Sequence, residues 1–136
     1  MSGPPPPSAG KYIEREMDDV AREFYRRWRH DGRLMTTRCD RCDATGFPPR
    51  SRCARCGSNE RWVPLPDQGR LYAFTTQEQA LRFHPPWVLA LADFGGAVVP
   101  GVVQEPYESL RVGQRVTAVA HDEPDTGLTL VRFESV

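Results

Sequence analysis

Four cysteines in two identical spacings, Cys39-Asp40-Arg41-Cys42 and Cys53-Ala54-Arg55-Cys56, constrain this 136-residue chain more than any other feature, and they are its only cysteines. A Cys-x-x-Cys pair bends into a tight knuckle that aims two sulfurs at one point. The ten residues between the pairs are enough to fold back and set the second knuckle opposite the first. The pattern is that of a closed tetrahedral metal site, with Zn2+ as the expected structural ion and iron as the chemical rival, because four thiolates also hold a mononuclear iron centre. A redox dithiol needs one such pair beside a βαβ pattern, which the sequence lacks. With all four positions filled by protein, a metal here has no open site for water or substrate, so the ribbon is read as structural and not catalytic.

The rest of the chain divides around the ribbon, at a length that allows one ordinary domain or two very small ones. Residues 1–10, Met-Ser-Gly-Pro-Pro-Pro-Pro-Ser-Ala-Gly, hold nothing to bury and read as a disordered or polyproline-like tail. Residues 11–33 read as an amphipathic helix. From Tyr12 to His30 the apolar Ile13, Met17, Val20, Phe24 and Trp28 recur every three or four positions among charged residues, and Gly32 is the expected stop. That stripe either packs into the chain's own core or meets a partner. A small ribbon and a small barrel are poor covers for a helix that carries Phe24, Tyr25 and Trp28, so Met17, Val20, Phe24 and Trp28 are the candidate partner-binding residues.

Residues 34–66 form the zinc ribbon. Its insert, Asp43 to Arg50, contains Pro48 and Pro49, which favour an extended backbone and predict a short β-hairpin carrying the first knuckle. Arg38, Arg41, Arg50, Arg52 and Arg55 surround the thiolates; they are expected to offset the negative charge of a four-thiolate zinc, or alternatively to bind phosphate or carboxylate through their forks. Residues 67–136 switch to short strands: Leu71 to Thr76, Trp87 to Phe94, Ala97 to Val103 after a Gly95-Gly96 turn, Arg115 to His121, and Leu128 to Phe133 after a turn at Asp125-Thr126-Gly127. Leu110 to Gln114 reads as the turn into the fourth strand. The expected class is therefore mainly β, an N-terminal helix and zinc ribbon followed by a small five-stranded OB-fold barrel, with Pro100 at an edge or bulge.

Charge separates the function classes that this architecture allows. Formal net charge is zero, yet residues 1–66 carry 13 Lys and Arg against 9 Asp and Glu, whereas residues 67–136 carry 5 against 9. An OB-fold that binds single-stranded nucleic acid, the alternative function, needs a basic groove to displace counterions, and the barrel half is acidic; no nucleic-acid partner is expected. The three histidines, His30, His84 and His121, sit in no nucleophile motif, and neither a phosphate loop nor a serine elbow occurs, so no catalytic residues are assigned. No apolar run approaches the ~20 residues of a membrane span, and the proline-rich start does not read as a signal peptide. Metal-spaced thiols without such a signal point to a reducing cytoplasm.

Nearly end to end, over about residues 12–135, the chain resembles the bacterial and archaeal family of rubredoxin-like zinc-ribbon plus OB-fold proteins, a domain of unknown function encoded with thiolases. The stretches that carry the resemblance are Gly32-Arg33-Leu34, the two knuckles, Phe47-Pro48-Pro49-Arg50, Cys56-Gly57-Ser58, Gly69-Arg70-Leu71-Tyr72-Ala73-Phe74-Thr75, Pro85-Pro86-Trp87-Val88-Leu89-Ala90-Leu91 and Leu110-Arg111-Val112-Gly113. Two positions depart from it: Ala54 stands where proline usually follows the third ligand, and Asp43 where glycine usually follows the second. The resemblance implies a non-catalytic subunit of a hetero-oligomer that assembles with a thiolase, a thiolase-type aldolase or a hydroxymethylglutaryl-CoA synthase. Acyl-CoA would then be met through the complex, with Arg50 and Arg52 as the candidate contacts to CoA phosphate.

Overall fold

A computed structural model describes residues 18–76, 88–124 and 127–136. Helix α1 spans Asp19–Asp31. Its N-terminus is capped by Asp18, which is extended (φ −71°, ψ 171°) and whose carboxylate accepts from the Ala21 N–H at 2.7 Å; residues 11–17 of the expected helix lie outside the described residues. At the other end Gly32 takes φ 62° and returns its N–H to the Trp28 carbonyl at 3.1 Å, the left-handed stop that glycine supplies without penalty.

Three short strands come next as an antiparallel sheet in the order β2-β1-β3, from Met35–Cys39 (β1), Thr45–Gly46 (β2) and Glu60–Pro64 (β3). The hairpin predicted around the first knuckle is β1–β2, with Arg38 opposite Thr45. The remaining strands are β4 (Gln68–Thr76), β5 (Val88–Phe94), β6 (Ala97–Val103), β7 (Arg115–Asp122) and β8 (Thr129–Ser135). They close a barrel in the order β4-β5-β6-β8-β7, with β7 pairing back onto β4 and β6 parallel to β8. This is the five-stranded OB topology that the strand count suggested. Pro100 lies where β6 is effectively an edge, since β8 pairs only with Val102 and Val103, so its missing N–H costs no ladder bond on that side. The predicted turn at Leu110–Gln114 is present, with Gly113 at φ 88° and its N–H on the Leu71 carbonyl at 2.7 Å.

Alternation explains the barrel core. Every second residue of β5, Val88, Ala90, Ala92 and Phe94, is buried, as period-two side chains facing one side must be. Phe94 meets Phe133 of β8 at 5.8 Å between ring centroids. The same apolar cluster continues without a break through Leu65 and Leu34 to Trp28 and Phe24 of α1.

This continuity corrects the reading of the helix stripe. Phe24 and Trp28 are 5% and 1% exposed, and Val20 is half-buried; the first two are core side chains of this chain and not a free face for a partner. Phe24 stacks edge-on against Phe47 of the ribbon at 5.4 Å, while the Trp28 indole N–H donates to the Leu130 carbonyl of β8 at 3.0 Å. Ribbon and barrel, each too small alone, together cover one face of the helix, the ribbon at Phe24 and the barrel one turn on at Trp28. The tail at 1–10, Ile13, Met17, His84, the Pro85–Trp87 strand entry and the Asp125-Thr126 part of the last turn lie outside the described residues.

Candidate metal centre

The two knuckles are built alike, residue for residue. Cys39 N–H bonds the Ala44 carbonyl at 3.0 Å and Cys53 N–H bonds the Ser58 carbonyl at 2.9 Å, five residues on in each case. Both turns need a left-handed residue after their second cysteine, and they find it in Asp43 (φ 62°) and Gly57 (φ 75°). Aspartate tolerates that region better than most residues, which is how the chain manages without glycine at the first knuckle. The sheet then brings the turns together, as β1 delivers Cys39 opposite Glu60 of β3.

The four sulfurs converge. Cys39 and Cys56 Sγ stand 3.4 Å apart, Cys42 and Cys53 Sγ 3.5 Å, and all four lie within 4.8 Å of one another. Sulfurs ~2.3 Å from a central zinc would stand about 3.8 Å apart, which these separations bracket. Cys39 and Cys53 are buried, whereas Cys42 and Cys56 are exposed, so the site sits at the surface with its inner pair anchored in the sheet.

Local dipoles favour thiolates, but not all four at once. Backbone N–H groups of Arg41 and Cys42 point at Cys39 Sγ, and that of Arg55 at Cys53 Sγ, each at 3.4 Å. Ser58, through its hydroxyl and then its N–H, holds the Cys56 thiol down to about 6, while the N–H groups of Cys56 and Arg55 lower Cys53. Cys42 is pushed up to about 11: the Ala44 N–H favours its thiolate, but the neighbouring Cys53 and Cys39 sulfurs outweigh it. Four adjacent anions need a cation, and a divalent ion supplies the missing charge. The donor set therefore fits a four-thiolate metal site.

Arg38 and Arg52 bond neighbouring oxygens. No guanidinium bonds a sulfur among the described residues; the backbone amides do that work. Arg38 bonds Thr45 Oγ1 at 2.9 Å and lies 3.7 Å from Asp43, and Arg52 bonds the Gly57 carbonyl at 3.2 Å. Arg50 and Arg52 are both exposed. Sequence reasoning missed the polar lock behind the site: buried Thr37 donates to Glu60 Oε1 at 2.7 Å and accepts from the Arg50 N–H at 2.8 Å. A threonine pair in a five-residue strand was the available signal, since β-branched polar residues bury well only when their hydroxyls find partners.

Two family models match the chain, the ChsH2 rubredoxin-like zinc ribbon domain over residues 30–60 and the ChsH2 C-terminal OB-fold domain over residues 62–121. The chain belongs to the ChsH2 family. Among solved structures, the Ltp2-ChsH2(DUF35) aldolase shares the fold at a TM-score of 0.76, with 22% identity over 88% of this chain and 97% of that one. A protein of unknown function from the DUF35 family of Sulfolobus solfataricus gives 0.67 at 15% identity, over 93% of each chain. No curated protein matches. The ChsH2 ribbon is thus a rubredoxin-like metal site, and among the described residues its four cysteines are the one group of metal-type ligands gathered within reach of an ion. No described helix is long and apolar enough to cross a membrane.

Proposed function

We propose that this ChsH2-family chain is a non-catalytic, zinc-binding subunit that assembles with and supports a thiolase-like enzyme acting on acyl-CoA thioesters, a thiolase-type aldolase before the other thiolase relatives. The supporting observation is the pairing of ribbon and barrel in the order and nearly the full length of the matched chain in the Ltp2-ChsH2(DUF35) aldolase. Zinc is favoured by the closed four-sulfur set, which leaves no ligand position for chemistry. Within this reading the exposed Arg50 and Arg52 offer the ribbon's contacts to CoA phosphate, and the partner meets a surface other than Phe24 and Trp28. Reduced thiols of this kind suit the cytoplasm. An acidic barrel, with 5 basic against 9 acidic residues over 67–136, gives the nucleic-acid alternative little electrostatic support.

Co-expression with a thiolase-type aldolase from the same genome tests the proposal. The two chains should co-elute, the complex should cleave or condense an acyl-CoA thioester, and the small subunit alone should do neither while carrying one zinc. Thioester turnover by the isolated chain overturns the non-catalytic role. Salt-sensitive, micromolar binding to a labelled single-stranded oligonucleotide, without any thiolase co-elution, overturns the assignment of partner.

A further inference from the structure

At one end of the barrel, where β4, β5 and β7 meet, lies a cleft of about 410 Å3 lined by Gln68, Gly69, Arg70, Asp93, Gly96 and Arg115 among others. The strand register places Arg70 opposite Arg115 on β7 and opposite Asp93 on β5. Residues directly opposed in antiparallel strands share a face, so three charges form a row across three strands. Like charges so opposed destabilise a sheet, and packing gives no reason for two arginines there.

Neither arginine is neutralised by the fold. Arg70 uses Nη1 on the Gly113 carbonyl at 3.0 Å, which leaves the rest of its fork open. Arg115 is exposed, and among the described residues its side chain makes no hydrogen bond or ion pair. Asp93 turns one oxygen to the Gly96 N–H at 2.7 Å, closing the β5–β6 turn, and forms no ion pair with Arg70. The floor is held flat by Gly69, where a Cβ would stand 2.8 Å from the Asp93 carbonyl and 2.9 Å from the Phe94 ring. At Gly96 nothing lies within 4 Å of a would-be Cβ, so the rim stays open.

We propose that this cleft binds the phosphate group of a phosphate-bearing ligand, held by the Arg115 fork and the free part of the Arg70 fork. Two guanidinium forks present more donors than one carboxylate can accept from, so a phosphate offering several oxygens fits them better than a single carboxylate, and Asp93 leaves the row with a net charge of +1. The site is distinct from the ribbon arginines and does not depend on which enzyme the chain accompanies.

The test uses the zinc-loaded full chain at low ionic strength, where exposed charges are least screened, with inorganic phosphate and CoA as probes. Amide resonances of residues 68–70, 95–96 and 115 should shift on titration. Arg115→Gln should weaken binding about tenfold, the loss expected for one charge-assisted hydrogen bond, without lowering the melting temperature, since it relieves a like-charge pair; Arg70→Gln should weaken binding likewise. Tighter binding of CoA than of phosphate assigns the site to a nucleotide-type ester, and equal affinity assigns it to free phosphate. Absence of binding by the unaltered chain overturns the proposal, as does an Arg115→Gln protein of undiminished affinity, or affinity lost instead in an Arg50→Gln, Arg52→Gln double variant.

Discussion

Truncating Trp28 probes the packing that joins the three parts of this chain. The indole is 1% exposed, belongs to the apolar cluster with Leu34, Leu65 and Phe94, and donates its N–H to the Leu130 carbonyl at 3.0 Å across 102 residues of sequence. Trp28→Ala removes the ring and leaves a cavity under a helix fixed at both ends, a change that costs about 3–5 kcal/mol. Whole-domain stabilities run to only about 5–15 kcal/mol, so the urea midpoint of the zinc-loaded protein should fall by roughly a fifth at the least. Trp28→Phe separates the terms, since it keeps most of the apolar volume and gives up the hydrogen bond, worth about 1 kcal/mol. Tyr72→Ala, at a side chain 59% exposed, should stay within ~0.5 kcal/mol of the unaltered protein. A Trp28→Ala midpoint equal to that of the parent would show that α1 is detachable, and would restore Phe24 and Trp28 as a partner face.

Four further outcomes are expected. Purified protein should hold one zinc per chain by mass spectrometry, and Cys39→Ser or a chelator should unfold the ribbon, visible by circular dichroism, because so small a sheet has little core besides its metal; an iron-thiolate absorption band would change the metal. Gly57→Ala should cost about 1–2 kcal/mol by urea titration, since φ is 75° and a Cβ would meet nothing within 4 Å, leaving only the conformational penalty, whereas Asp43→Gly at the matching position should cost nothing. Gly101→Ala should cost about 1–3 kcal/mol, because its Cβ would lie 2.6 Å from the Phe133 ring and 2.8 Å from the Val131 carbonyl. Glu23 is held at about 2, chiefly by the Arg26 hydrogen bond and against the ordinary 4.5; a depressed carboxylate stabilises above its unfolded pKa, so the stability gap between parent and Glu23→Gln should be present above pH 4.5 and vanish as pH falls to about 2.

Local chemistry was readable from the sequence, and shared burial was not. The cysteine spacing, the glycine stop at Gly32, the Gly95-Gly96 turn and the apolar run of β5 each depend on a few adjacent residues, and each leads to the element that the structure contains. Apolar period alone does not show that Asp18 turns its carboxylate back to cap the turn that follows. The stripe was misassigned for a deeper reason. Ribbon and barrel were weighed as separate covers for Phe24 and Trp28, whereas Phe47 of the ribbon and Leu130 of the barrel meet successive turns of the same helix face, and sequence carries no record of that convergence. Arg70 and Arg115 are 45 positions apart and become neighbours only through the β4–β7 register.

The helix also decides how loss of metal spreads. Between the four sulfurs and the barrel there are two apolar routes, Phe47 to Phe24 and Leu34 to Leu65, the latter reinforced by the Leu65 N–H on the Leu34 carbonyl at 2.9 Å. Neither passes through a sulfur. Without an ion the knuckles and the exposed pair Cys42 and Cys56 should loosen first, and β1 and β3 should give way later because Thr37 on Glu60 pins them from behind. Metal-free protein should therefore lose the ribbon from its outer edge inward while keeping Trp28 buried against β8, so that Trp28 burial survives until the barrel itself melts. A single transition that takes both together would show that the ribbon is the keystone of the whole core.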